Sequence, residues 1–424
     1  MNTARSWTRR GWLGSMLGMG GASLFAPLAA HAVGDASRRR SCILLWMSGG
    51  PSQTDTFDLK PNHANGGPFR EIATAVPGIR ISEHLPQVAR QMSHLAVVRS
   101  MKTKEGDHGR ATAHLRTGYV TQGPIRYPTL GSLVANECES AERDLPGFVS
   151  VMPGGAFASP SVAAGFLGPR SAPVIVNASG GNLAVEDLKP LAASADRMAD
   201  RRSLLREMEA PFLASRPGIG TASHVTAYDR ASRLGSPAAA QAFDLSRESA
   251  SLRDRYGRNA FGQGCLMARR LVERGTPFIE VNLGGWDTHD NNFEQVQTLS
   301  NTLDPAWGTL MADLAERGLL DDTLIVWMGE FGRTPGINPR NGRDHYPAAW
   351  SVVLGGGGIR GGQVVGRTGA SGIAVEDRPV HVPDLFATIL LAMGLDPRKQ
   401  NMSQVNRPIR LADPDAQPIR EVLA

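Results

Sequence analysis

The chain has 424 residues, 41% of them hydrophobic and 20% charged, with a net charge of +5. That length allows one large α/β domain or two smaller ones, and the scattered positive charge, whose only bare basic block is Arg38-Arg39-Arg40, gives no support to nucleic acid as a partner. Cys42, Cys138 and Cys265 lie far apart with no CxxC spacing, which argues against a thiolate zinc site and a disulfide framework and leaves a single disulfide open.

The first 32 residues read as a leader. Arg9-Arg10 precedes Gly11-Trp12-Leu13, a moderately apolar stretch follows over residues 13–29, and Ala30-His31-Ala32 supplies a small-x-small cleavage site after Ala32. A single membrane anchor is the alternative. The segment is short and its glycines make it weakly hydrophobic, which favours a cleaved twin-arginine signal. The mature domain, residues 33–424, is then directed to the periplasm or cell surface, with no further apolar run long enough to span a membrane.

Residues 42–47 (CILLWM) predict a buried strand ended by Ser48-Gly49-Gly50, with Asp55 and Asp58 in the loop that follows. A helix is expected over 85–91, a strand over 95–99, a helix from His108 to Gly118, another over 128–138 and a strand over 147–151. Residues 188–252 are polar and rich in Ala and Arg. They predict a helical insertion, interrupted near 211–220 and 235–237. One long amphipathic helix is expected over 251–275, a strand over 277–283, a helix over 307–317, and strands over 323–328 and 350–354. Asp384 is expected to cap a closing helix over 385–393, stopped by Gly394. Strands and helices alternating in this way predict a mostly parallel central sheet with helices on both faces, and ligands bind such sheets beyond the carboxyl ends of the strands.

One construction occurs three times. Residues 42–47 run into SGGPSQTD, residues 277–283 into GGWDTH, and residues 323–328 into GEFGR. Glycines let the chain turn sharply while a rigid strand aims the side chains that follow. If the strands are parallel neighbours, Asp55, Asp287, His289 and Glu330 gather at one sheet edge, and Asp344-His345 adds a carboxylate and an imidazole from a Gly/Asn/Arg loop. Each motif alone also reads as a helix cap or a loop charge. Together they point to a metal or anion site, and the mixed oxygen and nitrogen set suits Zn, Mn, Fe or Mg.

GDHGRATAHLRTGY, GGWDTH, GEFGRTPGINPRNGRDHY and the glycine run over 355–362 resemble the domain-of-unknown-function 1501 family, over essentially the whole mature chain. That family is similar in fold to the alkaline phosphatase and sulfatase superfamily, which implies an alkaline-phosphatase-like α/β fold and a site holding one or two divalent metals. The helix from His108 matches the nucleophile helix in spacing, Asp287 and His289 look like the metal-binding pair, and His345 falls where a late metal histidine stands. Three departures follow from the same resemblance. His108 occupies the nucleophile position, Phe331 replaces a metal histidine, and no Asp directly follows the first strand. The resemblance therefore implies a reduced, single-metal or repurposed site, with His108 or His114 as ligand, acid/base or nucleophile. Arg110 and Arg333 either hold an anionic ester or are simply solvated charges. The implied function is hydrolysis of phosphate or sulfate esters on an exported, sugar-derived or other periplasmic substrate. The alternative is a non-catalytic protein of the same fold that binds an anion or a partner.

Overall fold

Strand β1 (Ser41–Met47) is buried along its whole length and serves both faces of the sheet. Ile43, Leu45 and Met47 point to one face with Val97, Ile279, Val281, Ile325 and Trp327. Cys42, Leu44 and Trp46 point to the other with Val98, Phe278, Leu324, Val326 and Met328. This period of two is why a continuous apolar run forms a central strand here. The structure, a computed structural model, describes residues 40–424 apart from residue 122 and the stretches 141–144, 180–181, 186–187, 189–194 and 216–218. The leader expected over the first 32 residues, with its cleavage site at Ala32, falls outside the described residues.

The other strands of the main sheet are β2 (Leu95–Lys102), β3 (Phe148–Val151), β4 (Val174–Ser179), β5 (Asn182–Ala184), β6 (Phe278–Leu283), β7 (Thr323–Met328), β10 (Trp350–Gly356), β11 (Gln363–Val365) and β12 (Val380–His381). A small hairpin, β8 (Gly332–Arg333) with β9 (His345–Tyr346), stands apart from it. The sheet order is β11-β2-β10-β7-β1-β6-β3-β4-β5, and β12 also pairs with β2. β1 lies between β6 and β7 and is parallel to both. β10 is antiparallel to both of its neighbours, β2 and β7. Its start at Trp350 therefore lies at the edge where the flanking strands end, and that reversal brings the preceding loop to the same edge. β4 and β5 had no counterpart in the sequence reading; β5 runs antiparallel at the sheet margin.

The helices that position the rest are α1 (Pro86–Arg90), α2 (His108–Thr117), α3 (Leu130–Glu137), α4 (Ala195–Ser215), α5 (Ile219–Leu234), α6 (Pro237–Phe243), α7 (Ala250–Tyr256), α8 (Ala260–Glu273), α9 (Asn292–Glu316) and α10 (Val382–Ala392). α8 and α9 cover the first face through Leu266, Leu271, Leu303, Trp307 and Leu310. α3 and α10 cover the second through Leu130, Leu133, Val134, Leu385, Phe386 and Ile389. Each such aliphatic side chain taken out of water contributes about 1.5–3 kcal/mol.

Three helix expectations change. The span 251–275 is two helices, because Gly257 adopts φ 89° and Asn259 caps α8 by accepting from the Gly262 amide. α9 begins at Asn292, well before the expected 307, and runs through Pro305. That proline forfeits one backbone hydrogen bond, and packing of Leu303, Ala306 and Trp307 against the core offsets the loss. α4 passes through Pro211 but ends at Ser215, and α5 starts at Ile219, so the helices part within 211–220 as expected, and the break at 235–237 falls between α5 and α6, also as expected. The cap of α10 is His381, and Asp384 answers it from the third helical position by accepting from the His381 amide at 3.0 Å.

Candidate metal centre

The carboxyl ends of β6, β1 and β7 are neighbours, so their three loops meet. After β1 the chain turns at Gly49, φ 114°, where a Cβ would lie 2.3 Å from the Asp287 amide nitrogen. Only glycine permits that approach. After β6, Trp286 is fully buried and anchors the loop, while Asp287 on its outer side stays 46% exposed. The Thr288 and His289 amides close tight turns on the carbonyls of Trp286 and Asp287, so this stretch is a folded loop rather than extended chain. After β7, Glu330 turns inward, 3% exposed, and accepts from the Gly49 amide at 2.9 Å. The β8–β9 hairpin pairs Arg333 with His345 and so delivers Asp344 and His345 to the same edge. α2 starts at His108, behind Asp107, whose side chain accepts from the Arg110 amide.

Three imidazoles converge here in one pattern. His289 Nδ1 lies 2.8 Å from Asp344 Oδ1, His345 Nδ1 2.8 Å from the Gly106 carbonyl, and His108 Nδ1 2.7 Å from Glu330 Oε1. Carbonyl and carboxylate oxygens only accept, so each Nδ1 carries the proton and each neutral ring presents its Nε2 lone pair. All three Nε2 atoms face Asp287. His289 Nε2 is 3.1 Å and His345 Nε2 3.2 Å from Oδ1, and His108 Nε2 is 3.3 Å from Oδ2. The two Nε2 atoms of His289 and His345 are 3.0 Å apart. Lone pairs at that distance repel unless a proton or a cation lies between them. Ligand atoms about 2.0–2.1 Å from a tetrahedral zinc stand roughly 3.3 Å from one another, close to these separations. His108 Nε2 is buried and makes no hydrogen bond. The donor set fits a divalent ion, with His108, Asp287 and His345 mutually within reach and His289 against the last two. Phe331, fully buried, cannot ligate. Its ring packs 4.9 Å from that of His108 and 4.7 Å from that of His345, fixing their planes.

Electrostatics keep Asp287 ionised and favour a second proton on His108 when no ion is bound. Burial pushes the Asp287 carboxyl up, but the hydrogen-bonded Arg333 guanidinium outweighs it and, with His108 and His289, brings the pKa to about 2. The hydrogen bond to Glu330 raises the His108 pKa; burial opposes this and the charges of Glu330 and Asp287 add to it. An ion must displace that proton. With His108 as a ligand, zinc affinity should therefore fall by about tenfold per pH unit on the acid side of the raised value and level off above it. Titrations across about pH 5.5–8 check this, and an affinity flat across that range would remove His108 from the ligands.

Not every expected residue joins the cluster. Asp55 does not reach in. It is fully buried, with Arg343 bonding both oxygens at 2.7 and 3.0 Å and Asn292 donating to it at 2.8 Å. Arg333 is fully buried too, and donates to Asp287 and to the carbonyls of Gly49, Gly50 and Arg343, so it braces the site instead of meeting a substrate. Arg110 points to Glu105 at 2.8 Å. His114 lies on the buried side of α2, its Nδ1 without a partner and its pKa lowered by burial, with Glu105 and Asp413 opposing. Asp344 and Glu330 stand behind His289 and His108 as proton acceptors. Removing such a partner costs about 10–100-fold in metal affinity, so for an ion held at this cluster Asp344→Asn should weaken zinc binding by that order while leaving the melting temperature unchanged, measurable by chelator competition.

The sequence reading missed Arg343, Asn292 and Asn338. Arg343 clamps Asp55 and also donates to the Asn65, Thr334 and Pro335 carbonyls. Asn292 accepts from Thr288 Oγ1 at 2.6 Å. Asn338 donates to the His289 carbonyl and to Asp344 Oδ1. The available signal was Arg343 standing directly before the Asp344-His345 pair.

Fold and site together define an α/β protein with a His/Asp cluster at the carboxyl edge of a mostly parallel sheet. The family model described as "Protein of unknown function (DUF1501)" matches residues 39–423, and the chain belongs to that family. No curated protein sequence matches it. Among solved structures the chain is similar to a sulfatase from Pseudoalteromonas sp., at 13% identity and TM-score 0.43, covering 88% of this chain and 72% of that one. It is also similar to a protein of the alkaline phosphatase superfamily from Vibrio parahaemolyticus, at 12% identity and TM-score 0.40, covering 84% and 67%. A third is the lipoteichoic acid synthase LtaP from Listeria monocytogenes, at 10% identity and TM-score 0.42, covering 90% and 76%. The activities in those names belong to those proteins.

Proposed function

We propose that this chain is an exported hydrolase of phosphate or sulfate esters that works with a divalent metal ion held by His108, Asp287, His289 and His345. The convergence of three Nε2 atoms on one carboxylate carries the reading, since with each Nδ1 bonded to an acceptor the Nε2 atoms are left to a proton or a cation. When bound, the ion supplies Lewis-acid polarisation of an ester oxygen. Asp344, Gly106 and Glu330 hold the ring protons on Nδ1 and keep the Nε2 atoms aimed. The cluster is open to solvent, with His108, His289 and His345 side chains 35%, 32% and 27% exposed, so an anionic or sugar-derived ester has access. His108 is not the attacking group in this reading, because Nδ1 is bonded to Glu330 and Nε2 is turned to Asp287. Water attacks instead.

The test is turnover of a panel of phosphate and sulfate esters by protein loaded with zinc or manganese. Activity should vanish on chelation and in His108→Ala, with no phosphorylated or sulfated enzyme trapped by acid quench. A covalent adduct on His108 would restore direct attack. Silence across the panel with metal bound would favour the second reading, an anion- or partner-binding protein, which the lack of a hydroxyl at the start of α2 supports.

Among the described residues no helix is long and apolar enough to cross a membrane. The export part of the proposal rests on Arg9-Arg10. Arg9→Lys with Arg10→Lys should leave precursor in the cytoplasm, and mature protein outside the membrane at normal yield would sink the twin-arginine route.

A further inference from the structure

We infer that the loop after α2 and a hairpin near the C-terminus together form a docking surface for a lipid bilayer bearing anionic headgroups. The inference is independent of the metal reading and uses no residue of that cluster. α2 separates His108 from this surface by its 10 residues, about 15 Å.

Two segments far apart in sequence build it. The hairpin pairs Gln400–Met402 antiparallel with Pro408–Arg410, and in its turn the Ser403 amide donates to the Arg407 carbonyl at 2.9 Å. Tyr119 Oη donates to the Arg410 carbonyl at 2.9 Å and Gln404 Nε2 to the Pro124 carbonyl at 2.6 Å. The hairpin is thus fastened to the loop at its base and at its turn. The rings of Tyr119 and Tyr127 stack with centroids 4.8 Å apart and stiffen that loop. Three large apolar side chains stand in the open on these segments, Val120 at 46%, Met402 at 60% and Val405 at 48% exposed. Ile409 is buried between exposed Pro408 and Arg410, so the period of two puts Met402, Pro408 and Arg410 on the outer face of the hairpin.

Exposed apolar residues are ordinary on any surface, and the charge around these sets them apart. Residues 118–127 and 397–412 contain Arg126, Arg398, Lys399, Arg407 and Arg410 and no Asp or Glu. Arg398 pairs with Asp396, and Lys399 with Glu137. Arg126, Arg407 and Arg410 are exposed and form no ion pair among the described residues. Half-buried Asp413 is an acid at the margin, its charge felt by Tyr119. Unpaired guanidiniums beside bare aliphatic side chains suit a boundary that is anionic above and apolar just below. Headgroup phosphates take the arginines while Val120, Met402 and Val405 enter the acyl edge, and half-buried tyrosines fit the same depth. A soluble polyanion would leave the aliphatic side chains unused. A second copy of this surface would meet the same positive charge and be repelled.

The experiment is co-sedimentation with vesicles. Residues 13–29 are themselves moderately apolar, so the protein used is residues 40–424, the compact unit that holds both hydrophobic cores. Binding to vesicles of phosphatidylcholine and phosphatidylglycerol in equal parts is expected, and binding to phosphatidylcholine alone should be at least about tenfold weaker. An arginine in the field of an anionic surface contributes about fivefold, so Arg126→Gln with Arg407→Gln and Arg410→Gln should lose about 100-fold. Met402→Ser with Val405→Ser should lose about tenfold. Both variants change exposed side chains, so the fold survives. Arg233→Gln with Arg247→Gln and Arg274→Gln removes the same charge from exposed positions elsewhere and should bind as the parent does. Parent protein left in the supernatant, or an equal loss in this control, would overturn the inference. So would a loss in the Arg126, Arg407 and Arg410 variant with none in Met402→Ser and Val405→Ser, which would assign the surface to a soluble polyanion.

Discussion

Asp287→Asn combined with His345→Ala lowers bound metal to background while the protein stays folded. Asp287 is the group that all three Nε2 atoms face, and His345 meets both Asp287 and His289 there. Losing a partner outside the ligand sphere already costs about 10–100-fold in affinity, and this pair of changes removes a charge and a donor from the ligand set itself. The fold survives because Asp287 and His345 are 46% and 27% exposed and belong to neither hydrophobic core. Arg333 loses its carboxylate but keeps the carbonyls of Gly49, Gly50 and Arg343, so the penalty stays near the about 1–3 kcal/mol of one disrupted buried hydrogen bond. Elemental analysis beside a thermal melt reads both halves. Wild-type metal content in the double variant would rule out the ligand set argued here.

Asp55→Ala destabilises the protein by about 3–5 kcal/mol, the usual penalty for stripping one partner from a buried ion pair. Both Asp55 and Arg343 are fully buried, and the guanidinium meets the carboxylate through two nitrogens at 2.7 and 3.0 Å. Without Asp55 the Arg343 charge stays in the interior, where its remaining partners are the carbonyls of Asn65, Thr334 and Pro335. The urea midpoint should fall with little change in slope. Asp55→Leu with Arg343→Met should be less damaging than either single change, since removing both charges leaves neither unpaired. In folded Asp55→Asn protein, metal affinity should drop far less than in Asp287→Asn. An equal loss would return Asp55 to the ligand set.

The strands that carry the site were legible because each is a short, continuous apolar run with a glycine turn behind it, as in residues 42–50 and 323–332. The helix from His108 was legible because its stop is local, Gly118 in the left-handed conformation. Where helices were misread, the local signal was true but outweighed. Pro305 does break a hydrogen bond, yet the buried face of α9 continues through it. Gly257 went the other way, ending a helix that periodicity carried across it. The site was half legible. Acids and histidines after strands announced themselves, but what each acid touches depends on pairings such as Asp55 with Arg343, 288 positions apart. Arg333 looked like an anion binder because its burial depends on three loops folding over it. The reversal of β10 was hidden for a related reason, since an apolar strand carries no mark of its direction.

That reversal has a bearing on how such a site can diversify. β7 and β10 are adjacent and antiparallel, so everything between them forms one long arch over the sheet edge, anchored at both feet. Its inner residues are committed: a Cβ on Gly342 would collide with the His289 carbonyl, and Arg343 is locked to Asp55. Its crest, residues 336–337 and 339, is exposed, while the carbonyls of Arg340 and Asn341 are tied to the Asn291 and Asn292 amides at the start of α9. Extra residues at the crest lengthen a surface loop, where even a doubling costs only about 0.6 kcal/mol in closure entropy. The rim over the histidines can thus be rebuilt by insertion or deletion while the strands and the clustered His and Asp side chains keep their register, which makes the arch the natural place to graft new selectivity.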